Sequence, residues 1–117
     1  MGYEVKLFVV SEHTYKDGKP WAEVLAMFDV CKVGFSRNVF MEEAEGEMHG
    51  ISGNDPIETD AYGEPLRVDL PKPVIEELRK IGEKYDYWRA KVAANLIEDI
   101  VQNCNTRGNI RIYAYGH

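Results

Sequence analysis

The chain has 117 residues, 44% of them hydrophobic and 29% charged. That length and balance allow one domain with a core of its own and exclude a disordered chain. The formal net charge of −6 argues against broad binding to nucleic acid or an anionic membrane, because phosphate contacts need clustered cations.

Residues Met1 to Val10 include Glu4 and Lys6 and hold no long apolar run, so no signal peptide is expected there and a cytoplasmic setting follows. Two alternating runs, Tyr3 to Glu12 and Trp21 to Cys31, flank Asp17-Gly18, a strong signal for an N-terminal β-hairpin. A two-residue turn on that pair sets Lys16 opposite Lys19. It predicts Val5, Leu7 and Val9 against Val30, Phe28 and Ala26 on one face, and Phe8 and Val10 against Met27 and Leu25 on the other. Lys6 then faces Asp29, Glu12 faces Glu23, and Thr14 faces Trp21. The second face is apolar too. Burial of one such side chain is worth about 1.5–3 kcal/mol, so Phe8, Val10, Leu25 and Met27 are expected to be covered by another part of the chain or by a subunit interface.

Residues 35–70 form an irregular acidic segment. Glycine and proline recur at Gly46, Gly50, Gly53, Pro56, Gly63 and Pro65, which predicts turns, and Ser36 to Met41 reads as a short strand. Scattered apolar residues, among them Met48, Ile57, Leu66 and Val68, are expected to fold back onto the second face of the hairpin.

Pro71 to Asn103 has helical periodicity. Val74, Leu78, Ile81, Tyr85, Trp88, Val92, Leu96 and Ile100 form a predicted core-facing stripe, which Ile75, Ala93, Ile97, Val101 and Cys104 widen. Gly82 and Tyr85-Asp86 weaken its middle, which predicts one bent helix or two, with Asp86 capping the second. Glu76 with Lys80, and Arg79 with Glu83, sit at i,i+4 on the solvent side. Ile110 to Tyr115 alternates as a closing strand. The fold class is therefore α+β: a mainly antiparallel sheet built on the N-terminal hairpin, a long or bent helix on one face, and a C-terminal strand. Cys31 and Cys104 read as small buried hydrophobes, and no stretch approaches a membrane span.

Several side-chain groups carry candidate chemistry. Glu12 and Glu23, placed opposite one another, would form a carboxylate pair able to bind a cation or a basic partner group, or to do acid–base work with His13. Glu42 to Asp60 is rich in carboxylates around the single imidazole of His49, yet its spacing matches neither a calcium loop nor a zinc site, so no metal or cofactor is expected. Arg37 and Arg67 could clamp an anion. The candidate ligand- or partner-binding residues are Arg37, Asn38, His49, Asp55, Asp60, Tyr62 and Arg67, with Glu12 and Glu23 as a second patch. The candidate interface is Phe8, Val10, Leu25 and Met27. No nucleophile sits in a recognisable catalytic setting.

Met27-Phe28-Asp29-Val30-Cys31-Lys32-Val33-Gly34 and Asp60-Ala61-Tyr62-Gly63-Glu64-Pro65-Leu66 resemble segments of small uncharacterised phage-type α+β proteins, in which a strand precedes a Tyr-Gly-acid-Pro-Leu turn and a long helix. The resemblance touches about a third of the chain. It implies a phage accessory protein, including an inhibitor of host defence, and brings no site residues with it. The resulting expectation is a non-catalytic binding protein that self-associates and acts by sequestering a ligand or occluding a host protein. The alternatives are a small metal-dependent nucleotide or phosphoester hydrolase using Glu12, Glu23 and His13, and a structural or assembly protein.

Overall fold

The computed structural model describes residues 5–29, 42–43, 47–49, 57–104 and 109–116. The expected strand at Ser36–Met41, and the candidates Arg37, Asn38 and Asp55, lie outside them. Six strands form one sheet: β1 (Val5–Thr14), β2 (Pro20–Asp29), β3 (Glu42–Glu43), β4 (Glu47–His49), β5 (Arg67–Asp69) and β6 (Asn109–Gly116), in the order β3-β5-β6-β1-β2-β4. All neighbours run antiparallel except β2 and β4, which are parallel. Two helices, α1 (Pro71–Lys84) and α2 (Trp88–Asn103), complete an α+β fold.

β1 lies between β6 and β2. Its near-continuous apolar run follows from that place, because an interior strand with both faces covered has no wet side to alternate toward. Val5, Leu7 and Val9 pack with Ile112 and Ala114 of β6 beneath the helices, where Val74, Leu78, Ala93, Ala94 and Ile97 meet them. Phe8 and Val10 pack on the opposite face with Ala22, Met48, Leu66 and Tyr113, and Val24, Ile57, Val68 and Tyr115 close the edges of this second core. The chain thus seals its own second face, through β4, a Met48–Ile57 bridge and the run into β5.

The β1–β2 register departs from the expected one in its turn-proximal half. Lys6 faces Asp29, Leu7 faces Phe28, Phe8 faces Met27 and Val9 faces Ala26, but Val10 faces Val24, Ser11 faces Glu23, Glu12 faces Ala22 and His13 faces Trp21. The cause is the turn. The Gly18 N–H donates to Tyr15 O at 2.9 Å and the Tyr15 N–H donates to Lys19 O at 2.8 Å, which encloses Lys16-Asp17-Gly18 as a three-residue loop. Gly18 sits at φ +90°, the left-handed position that such loops reserve for glycine. The Asp17 carboxylate accepts from the Lys19 N–H at 3.0 Å. A bulge at Leu25 then compensates: the extra β2 residue restores the original pairing beyond it. Leu25 consequently has no place opposite Val10, and Val24 packs there in its stead.

The helices also differ from the continuous stripe. Asp86, at φ +48°, breaks the chain between α1 and α2. It is not the cap of α2. Tyr87 holds that position without a side-chain bond, and the Asp86 carboxylate pairs with Lys91 at 3.0 Å. The break changes the helical phase, so α2 buries Ala90, Ala93, Ala94 and Ile97, while Tyr85, Trp88, Val92, Leu96 and Val101 of the expected stripe are exposed. Small residues on the buried side let α2 lie close to α1. Gly82 marks a close approach between the helices: a Cβ there would stand 2.7 Å from Lys91 Cγ. Arg79 does not pair with Glu83 along its own helix. It reaches across to Asn95 and Glu98 of α2, and Lys80 lies 3.9 Å from Glu77. Among the described residues no helix is long and apolar enough to cross a membrane.

Candidate functional site

The three-residue turn decides which side chains share a face at the hairpin end. Strand alternation is two-fold, so a one-residue shift of register moves whole sets of side chains to the other side. Glu12 and Glu23, expected to face each other, end on opposite faces of the sheet. Glu12 accompanies Phe8 and Val10, and its carboxylate lies 3.4 Å from Arg111 Nε and accepts from the Tyr113 hydroxyl at 3.4 Å. Glu23 accompanies Ser11, His13 and Trp21. The hydrolytic trio of Glu12, Glu23 and His13 is therefore divided by the sheet. Among the described residues no group of three His, Cys, Asp or Glu side chains is placed to hold a metal ion.

What gathers instead is a cluster of rings on the helix-bearing face. β1 and the start of the turn supply His13 and Tyr15, β2 supplies Trp21, and β4 supplies His49, which the parallel pairing sets opposite Glu23. His13 stacks on Trp21 with ring centroids 4.7 Å apart, and Tyr15 stacks on Trp21 at 5.6 Å. The His49 ring meets Trp21 edge-on at 5.0 Å, and its Nε2 is hydrogen-bonded to the Tyr15 hydroxyl at 2.7 Å. The hydroxyl donates in that bond when Nε2 is unprotonated. The Glu23 carboxylate lies 3.5 Å from His13 Nε2, and its own side chain is 54% exposed.

The rings are amphipathic. Apolar ring faces meet one another, the Tyr15 hydroxyl and His49 Nε2 are joined by a hydrogen bond, and His13 Nε2 lies beside the Glu23 carboxylate, a mixture of aromatic and polar groups that recurs at binding hot spots. Trp21 is half-buried and Tyr15 exposed. The exposed Tyr15 ring at the margin of the cluster and the half-exposed Glu23 carboxylate beside His13 suit a cationic group, through ring attraction and ion pairing together. Ser11, opposite Glu23, is fully buried and its hydroxyl has no hydrogen-bond partner, so it offers no accessible nucleophile.

The remaining sequence candidates do not join this cluster. Asp60 is buried, and its carboxylate accepts the N–H groups of Tyr62 at 2.8 Å and Glu64 at 3.0 Å. With Gly63 at φ +76°, it shapes the turn that leads to Leu66, which accounts for the carboxylate without a ligand. Tyr62 is exposed at the tip of that turn. Arg67 lies in β5 opposite Ala114 of β6. β5 and His49-bearing β4 are separated by β6, β1 and β2, about 19 Å at the usual strand spacing. Of the proposed interface, Phe8 and Val10 are buried within the chain and Met27 is exposed. Tyr15, Trp21, Arg111 and Tyr113 were absent from the sequence candidates. His13 and Tyr15 fall beyond the alternating run Tyr3 to Glu12, and their meeting with Trp21 depends on the turn type. No family model, no curated protein and no solved structure matches the chain.

Proposed function

We propose that this is a non-catalytic binding protein that captures a basic group of a partner protein at the hairpin end, with Trp21 and Tyr15 as the stacking surface and Glu23 as the counter-charge. The observation that supports the reading is the convergence of four rings, from three strands and the hairpin turn, beside one half-exposed carboxylate. The chain's net charge of −6 favours encounter with a cationic partner. The resemblance of Met27–Gly34 and Asp60–Leu66 to phage-type proteins supplies a setting for such binding, occlusion of a host protein's basic surface by a phage accessory protein.

The test uses short arginine-containing peptides, read by tryptophan fluorescence in a Trp88→Phe background so that Trp21 alone reports. Saturable quenching that Glu23→Gln and Tyr15→Ala each weaken about tenfold supports the reading. Absence of a response in any peptide, or a response indifferent to both substitutions, removes it.

A further inference from the structure

A second surface lies on α2, away from the hairpin end and independent of it. Trp88 is 64% exposed, Val92 50% and Leu96 41%. They recur every four residues on the side of the helix opposite its buried alanines. Beside them, Met27, Phe28, Asp29, Trp88, Arg89 and Val92 line a groove of about 280 Å³ between α2 and the edge of β2. An apolar row at i, i+4, i+8 joined to a groove of this kind marks an interaction surface more than ordinary solvent-facing helix.

The charges around the row identify the occupant. Lys91 is held by Asp86, and Glu98 by Arg79. Two exposed charges of α2 have no ion-pair partner among the described residues: Arg89 at its N-terminal end, whose guanidinium lies 5.4 Å over the Trp88 ring, and Asp99 at its C-terminal end. They stand ten residues apart on the same side of the 16-residue helix, about 15 Å along its axis, with the apolar row between. A surface with an apolar centre and opposite charges at its two ends is self-complementary under a two-fold rotation. We infer that α2 is the interface for a second copy of this chain, docked antiparallel. An approach centred between Val92 and Leu96 sets Val92 against the second copy's Leu96 and Arg89 against the second copy's Asp99, and each groove receives the other copy's Leu96 beside Trp88 and Val92. One short helix face per protomer lies at the low end of the size range for specific interfaces, so a reversible, concentration-dependent dimer follows.

Sedimentation velocity across micromolar to near-millimolar concentration reads this directly. The wild-type chain is expected to pass from monomer to dimer. Val92→Glu is expected to hold it monomeric, and its circular dichroism should be unchanged because residue 92 lies outside the core. Arg89→Asp, which opposes two like charges at both symmetric ends, is expected to weaken dimerisation at least about tenfold. The double exchange Arg89→Asp with Asp99→Arg restores the pairing and is expected to recover most of that loss. A wild-type monomer throughout the range overturns the inference. So does a dimer that survives Val92→Glu, or one that Arg89→Asp weakens and the double exchange leaves weak.

Discussion

Leu66→Ala puts the covering of the second sheet face to a quantitative test. Leu66 is 1% exposed and packs with Phe8, Val10, Met48 and Tyr113. Truncation to alanine removes three carbons from that contact, about 2.4 kcal/mol of transfer free energy at 0.8 kcal/mol for each. The cavity left behind adds to this, by an amount that depends on how far the site collapses. Leu66 lies on a short connection between the Thr59–Pro65 bridge and β5, which can settle inward more readily than a central strand. The expected total is therefore about 3 kcal/mol, near the lower end of the leucine-to-alanine range. Out of a global stability of the order of 5–15 kcal/mol, that is a large fraction. Equilibrium urea unfolding measures it, with Val101→Ala, at an exposed position of α2, as a control expected to lose less than about 1 kcal/mol. A loss at Leu66 under about 1 kcal/mol, or no larger than the control, would refute the claim that the chain seals this face itself.

Ser11→Ala removes a buried hydroxyl that has no partner and is expected to raise stability by about 1 kcal/mol in the same assay; a loss would show that the hydroxyl is satisfied, for instance by a buried water. Gly82→Ala gains about 1 kcal/mol of helix propensity but sets a Cβ 2.7 Å from Lys91 Cγ, near the α2 backbone, so the helices must shift and the melting temperature is expected to fall. Gly82→Val pushes further toward the Lys91 N–H and Tyr87 carbonyl, 3.4 and 3.5 Å from the alanine Cβ position, and is expected to cost about 2 kcal/mol. A double-mutant cycle on Glu12→Gln and Arg111→Met should give a coupling of about 0.5–1 kcal/mol, as suits a half-buried pair at 3.4 Å; zero coupling would mean the pair does not hold Glu12 on its face. Asp60→Ala, which orphans the Tyr62 and Glu64 N–H groups, is expected to destabilise by about 1–3 kcal/mol.

The sequence made some of this architecture readable and hid the rest for identifiable reasons. Leu7 with Phe28, the two faces of β6 and the return of Met48, Ile57, Leu66 and Val68 onto Phe8 and Val10 all follow from alternation and burial, which act over many residues and tolerate local error. The hairpin-end site depended on a single choice. Asp17-Gly18 is compatible with a two-residue turn and with a three-residue loop ending in left-handed glycine, and the choice decides whether Glu12 or His13 shares a face with Glu23. A compensating bulge at Leu25 has no distinct sequence signature, because the bulged residue is an ordinary leucine. On α2 the error came from phase. Val92 and Leu96 continue the periodicity of Ile81 across the break, but the positive φ of Asp86 resets it, and the alanine face turns into the core shared with α1 and β1.

The central functional claim concerns where a basic partner group docks, and amide chemical-shift mapping locates that without presupposing affinity. Titration of an arginine-containing peptide into isotopically labelled protein is predicted to move the signals of His13, Tyr15, Trp21, Glu23 and His49 together, in proportion to occupancy, while those of α2 stay in place. Shifts confined to α2 or spread without focus, or none at saturating peptide, would contradict the assignment of binding to the hairpin end.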